Sequence, residues 1–115
     1  MKPPLIVNNH GDVMVFASAQ DLERELEAID VEHHEYVAYD SEGRLVELGI
    51  GRRRGTLFFS IKSVVVQGAE PTPTHTGELR EVLRRFLQGV GESNDWLANA
   101  SLEALVSRGL EKYRC

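Results

Sequence analysis

Tyr36-Val37-Ala38-Tyr39-Asp40-Ser41-Glu42-Gly43-Arg44-Leu45-Val46-Glu47-Leu48 reads as a strand, a tight turn and a returning strand. The first four residues have the aromatic and branched content that fits a pleated surface. Asp40 to Gly43 carry a type I turn signature, with Asp first to accept backbone hydrogen bonds and Gly last. Strands joined this tightly are antiparallel, because a parallel pair needs a crossover of a dozen residues or more. Downstream, Gly49, Gly51 and Gly55 are expected to break or bend the chain. Thr56-Leu57-Phe58-Phe59-Ser60-Ile61 and Val64-Val65-Val66-Gln67 are strands with only Lys62-Ser63 between them, the second expected to be central or well covered. They also fit one long strand carrying a bulge. Residues 35–67 are therefore read as a meander.

Upstream of it, Leu5-Ile6-Val7 and Val13-Met14-Val15-Phe16 flank the turn cluster Asn8-Asn9-His10-Gly11-Asp12, which predicts a small hairpin. Ser18 opens a helix as its N-cap. Leu22, Leu26 and Ile29 recur on one face, so a single helix is expected over about 19–29. Downstream, Gly68 to Thr76 is a proline-punctuated loop, and Thr74 or Thr76 caps the next helix. Leu79, Val82, Leu83, Phe86 and Leu87 mark its apolar face, with Gly89 or Gly91 as its end. Asn99 or Ser101 caps a last helix that carries Leu102, Leu105, Val106 and Leu110 and stops near Gly109, with a fraying tail behind it. Helices do not alternate with strands in the middle of the chain. The expected fold is α+β in a single domain, residues 1–115. It is a mostly antiparallel sheet of four to six strands, with one early helix and two C-terminal helices packed on one face.

Composition narrows the function. Thirteen Lys+Arg against eighteen Asp+Glu give a net charge of -5, which disfavours a generally basic nucleic-acid binder. One cysteine rules out an intrachain disulfide framework and fits a reducing compartment. No apolar run approaches the ~20 residues of a membrane span. A cytoplasmic protein that engages neither membrane nor nucleic acid directly is expected.

Chemistry-bearing motifs are sparse. His10, His33, His34 and His75 show no metal-ligand spacing and read as exposed loop residues, so no metal or cofactor is expected. Asp40 with Glu42, or Glu70 with His75, has the composition of an acid–base pair, but such work needs shared geometry and tuned acidity. Asp40 is explained more simply as a turn residue. No nucleophile elbow or phosphate-cradling glycine motif occurs. A non-enzyme is expected. Arg52-Arg53-Arg54 is the one basic run and reads as a solvated strand start or hairpin. Trp96, beside polar Asn94-Asp95, reads as a lid on the core, with a surface anchor as the alternative.

Charge is unevenly distributed along the chain. Residues 12–47 hold eleven acids and two bases, while residues 48–115 hold seven acids and ten bases. An acidic helix and the loop after it form one lobe, and such a field attracts and steers a basic protein. Glu23, Glu27, Asp30, Glu32 and Glu35 are the candidate electrostatic contacts; Tyr36 and Asp40 complete the partner-binding set. Tyr39 has the same two options as Tyr36, anchor or sheet packing. This reading requires the acids to stay in water and face one way.

The run Gly11-Asp12-Val13-Met14-Val15-Phe16, then Asp21-Leu22-Glu23, Glu27-Ala28-Ile29-Asp30-Val31 and Glu35 to Leu45, resembles small bacterial immunity proteins of polymorphic toxin and contact-dependent inhibition systems. The Tyr-Asp-Ser-Glu-Gly-Arg-Leu turn at 39–45 is the most distinctive piece of that resemblance. Glu70-Pro71-Thr72, the Leu79–Leu87 helix and Ser101-Leu102-Glu103-Ala104-Leu105 fit the same pattern. The resemblance implies a protein that neutralises a cognate toxin domain, often a nuclease or deaminase, by covering its active site. It brings no catalytic residues. The alternatives are a non-catalytic interaction domain outside any toxin system, or a small-ligand-binding domain. A homodimer through an edge strand is compatible with each.

Overall fold

The computed structural model describes residues 1–54 and 60–115. Strands β1 (Leu5–Asn9) and β2 (Asp12–Phe16) precede helices α1 (Ala19–Glu25) and α2 (Ala28–Glu32). Strands β3 (Val37–Tyr39), β4 (Leu45–Arg54) and β5 (Ser60–Ala69) follow, then α3 (Thr76–Gly89), α4 (Asn94–Leu97) and α5 (Leu102–Lys112). The sheet order is β2-β1-β3-β4-β5, and every pairing is antiparallel. The fold is α+β, as the strand–turn–strand reading requires.

The helices cover both faces of the sheet rather than one. Ile6, Val13, Val15 and Tyr39 pack with Leu79, Leu83, Leu87, Leu97 and Leu105 from α3, α4 and α5. Leu5, Val7, Phe16, Ala38, Val46 and Val64 pack on the opposite face with Leu22, Leu26 and Val31 from α1 and α2. The reason lies in β1. Leu5, Ile6 and Val7 are consecutive and all buried, which only a strand covered on both sides achieves. Trp96 is half-buried against the α3–α5 layer, in the position of a lid.

Several boundaries differ from the sequence reading. The early helix is two helices. Leu26 and Glu27 are extended, so α2 restarts in a new direction. Val31 takes the buried place that a continuous stripe assigned to Ile29, which is 60% exposed. The first hairpin turn is tighter than five residues: His10 and Gly11 both have positive φ and close a two-residue turn. β4 runs unbroken through Gly49 and Gly51. Gln67 lies across Gly49 so closely that an added Cβ would sit 2.1 Å from its amide. β5 is one strand through Lys62-Ser63, and its ladder with β4 shifts register between Glu47 and Leu48, leaving Gln67 as the extra residue. Residues 56–59 of the strand expected there lie outside the described residues. Arg52–Arg54 end β4, opposite Lys62, Ile61 and Ser60.

The caps are largely those expected. Ser18 and Ser101 accept hydrogen bonds from the N–H groups of Asp21 and Ala104. α3 instead starts after His75, which makes no side-chain cap. Its C-terminus closes with Glu92 N–H donating to the Leu87 carbonyl and Gly91 N–H to that of Gln88, a Schellman ending. α5 passes through Gly109 to Lys112, because Gly109 is pressed against Val15 and is buried. The tail is docked, not frayed. Cys115 N–H donates to the Val15 carbonyl at 2.8 Å and covers part of the outer edge of β2.

Candidate functional site

A groove of about 570 Å3 runs between α1–α2 and β5. Glu23, Arg24, Leu26, Glu27, Ile29 and Glu32 line it from the helices, and Lys62, Ser63 and Val64 from the strand. Two local features build it. The break at Leu26-Glu27 turns α2 so that Ile29 faces water at the rim. The sheet order leaves β5 without an outer neighbour among the described residues.

The acids on this surface are not equivalent. Glu23 Oε2 accepts a hydrogen bond from Val66 N–H at 2.8 Å, so it straps α1 to the edge of β5. Glu32 pairs with Lys62 at 2.8 Å. That hydrogen bond, with further attraction from Lys62, His33 and Arg52, holds its carboxyl below the usual range against the opposing effect of burial. Asp30 accepts from the Tyr36 hydroxyl at 3.1 Å. Burial first, and then that hydrogen bond to Asp30, push the Tyr36 phenol up. Glu27 is exposed and makes no ion pair among the described residues.

The predicted site residues therefore divide. Glu23, Glu27 and Glu32 meet in one groove. Asp30 and Tyr36 form a hydrogen-bonded pair, and Tyr36 is half-buried. Glu35 instead pairs with His10 of the first hairpin turn at 2.7 Å. Asp40 is a correction: it is fully buried and cannot meet a partner. Its Oδ1 accepts from the N–H groups of Glu42 and Arg44, and its Oδ2 from Lys2 N–H and the Arg44 guanidinium. Tyr39 is likewise core. Burial and the nearby Glu78 carboxylate push its phenol up to about 12.

The 39–45 motif thus has a folding explanation. Gly43, at φ +94°, abuts the start of α3, where a Cβ would fall 2.5 Å from Thr76 Cα. The Thr76 hydroxyl donates to the Glu42 carbonyl and His75 N–H donates to that of Gly43. The turn ties the chain before β1, the β3–β4 connection and α3 together. Compared with protein-family models, curated proteins and solved structures, the chain matches none.

Glu70 and His75 do meet, at 2.9 Å. The same carboxylate accepts from Leu45 N–H at 2.7 Å and from the Thr74 hydroxyl at 2.9 Å. This is a clamp on the loop before α3, with its acceptor sites engaged by structural donors. Among the described residues, no group of three or more His, Cys, Asp and Glu side chains is placed to hold a metal. No described helix is long and apolar enough to cross a membrane. Sequence reasoning missed the contribution of β5 to the groove. Lys62 between two apolar runs was the available signal, since lysine is a common edge-strand residue.

Proposed function

We propose that this chain is a non-catalytic binding protein that docks a basic protein partner in the groove between α1–α2 and β5, in the manner of an immunity protein covering a toxin domain. Exposed Glu27, without an ion pair among the described residues and set beside exposed Ile29 in the groove that Glu23 and Glu32 also line, carries the reading. An acidic rim steers a basic partner, and an apolar side chain within it supplies area to bury. A nuclease partner presents a basic cleft to which carboxylates stand in for phosphates.

Glu27→Lys tests the surface without touching a structural bond. A unit-charge contact at 4 Å is worth about 1 kcal/mol in water, so reversal changes the interaction by about 2 kcal/mol, or about 30-fold in affinity. The tagged chain should capture a basic protein from its native host, and Glu27→Lys should lose it. Expressed alone, the captured protein should arrest bacterial growth, and co-expression of the chain should restore it. Capture that ignores Glu27→Lys removes the groove as the interface. A captured partner without toxicity removes the neutralising role.

A further inference from the structure

We infer that the groove receives its partner by strand addition: an extended basic segment of the partner protein pairs with the outer edge of β5 over Lys62–Val64. This rests on the acidic-groove reading above and supplies its geometry.

The backbone of β5 shows which groups are offered. Val66 N–H points away from β4, because it donates to Glu23. Residues alternate along an antiparallel ladder between inward and outward backbone groups. Val64 and Lys62 share the parity of Val66 and face Ile50 and Arg52 across the ladder. Their N–H and C=O groups therefore point outward as well, at the sheet edge. The Glu23 carboxylate already sits where the carbonyl of an added strand would sit, and it marks the upper end of the open stretch. The opposite edge of the sheet is treated differently, since the tail at Arg114–Cys115 meets β2.

The side chains select the occupant. An added strand directs alternate side chains toward the α1–α2 face, where Leu26, Glu27 and Ile29 line the wall. Lys62 is already engaged by Glu32, and Arg24 lies 3.7 Å from Asp21. The charge that remains for an incoming chain is that of Glu27, with Glu23 beside it. Strict alternation sends lysine or arginine side chains to that wall and apolar ones to the opposite face of the sheet, beside exposed Ile61. A second copy of this chain fits less well: pairing β5 with β5 would bring two α1–α2 surfaces, each carrying Glu23, Glu25 and Glu27, toward one another.

The probe is an acetylated, amidated heptapeptide alternating lysine and valine, added to the full chain. It should bind below about 1 mM, and Glu27→Lys should weaken it about tenfold or more. Amide exchange at Lys62 and Val64 should slow about tenfold on binding, while Ile61 and Ser63, already turned toward β4, should change little. The peptide N-methylated at every valine and the one N-methylated at every lysine block opposite edges. One of the two should lose about tenfold or more in affinity and the other should not. Binding that depends on Glu27 but spares both methylated peptides, with no protection at Lys62 and Val64, overturns strand addition and leaves the acidic groove standing. No binding at about 1 mM also overturns strand addition, and the capture experiment then decides separately whether the groove is an interface. Protection of the same two amides in the peptide-free chain, rising with protein concentration alongside a dimer in sedimentation, overturns it in favour of a second copy.

Discussion

Asp40→Asn should loosen the β3–β4 turn while leaving the partner surface intact. The carboxylate is fully buried and accepts three backbone N–H groups, from Lys2, Glu42 and Arg44, as well as the Arg44 guanidinium. Asparagine keeps one acceptor oxygen. Its amide nitrogen then faces Lys2 N–H and the guanidinium, donor against donor. Breaking a buried charged pair costs about 3–5 kcal/mol. For a domain of this size about 4 °C of melting temperature accompanies each kcal/mol, so a fall of about 15 °C is expected. The pH dependence has a definite sign. Burial pushes the Asp40 carboxyl up, but the N–H donors of Lys2, Arg44 and Glu42 and the guanidinium outweigh it, and its pKa lies below the ordinary 3.8. A lowered folded pKa means stability that is present above the unfolded value and lost as pH falls through the folded one. The melting-temperature gap between wild type and variant should be full at neutral pH and narrow as pH falls below about 4. Calorimetry across pH 3–7 reads both effects, and partner capture at low temperature reads the third. A variant melting within about 3 °C of wild type would refute the assigned role. So would loss of capture at unchanged stability, which would return Asp40 to the interface.

Four further substitutions have defined outcomes. Gly43→Ala places a Cβ 2.5 Å from Thr76 Cα at a φ of +94°, so it should lower the denaturation midpoint by the equivalent of about 2 kcal/mol or more; Gly11→Ala, also at positive φ but with open space around it, should cost less in the same titration. Leu83→Ala empties a fully buried position between α3 and the sheet and should cost about 2–5 kcal/mol in chemical denaturation, with the higher values if the site does not collapse. Glu70 is held below its ordinary 4.5, chiefly by Leu45 N–H and then by Thr74 and His75 against some burial, so Glu70→Gln should melt below wild type at neutral pH and converge with it as pH falls through the acid range; a gap that stays constant would show that the carboxylate's charge is not what the clamp uses.

The antiparallel core of the fold is legible in the sequence because turn chemistry is local. Asp40 and Gly43 specify a reversal whatever surrounds them, and Ser18 and Ser101 cap helices through bonds made within three residues. What is not legible depends on contacts distant in sequence. The second covered face follows from where α1 and α2 fall on the sheet, and the consecutive apolar runs Leu5–Val7 and Val64–Val66 are its local traces. The break at Leu26-Glu27 has no glycine or proline to announce it. Packing against β5 wins over the helical stripe, and Ile29 is left outside.

The acidic segment shows why a charge count along a chain does not by itself locate a site. Eleven carboxylates between residues 12 and 47 suggest one lobe, yet they serve distinct purposes. Asp40 is consumed by a turn, Glu23 by a sheet edge, Glu32 by Lys62 and Glu35 by His10. Each of these bonds offsets the desolvation or repulsion that crowding brings. A carboxylate bound in this way offers less to a visitor than one still in water. Glu27 sits at the extended junction of α1 and α2, where its side chain caps nothing. Exposed between an apolar rim and an open edge, and without an ion pair among the described residues, it is the residue whose charge a partner meets at least cost. Substitutions there should therefore separate binding from folding more cleanly than at any other acid in the groove.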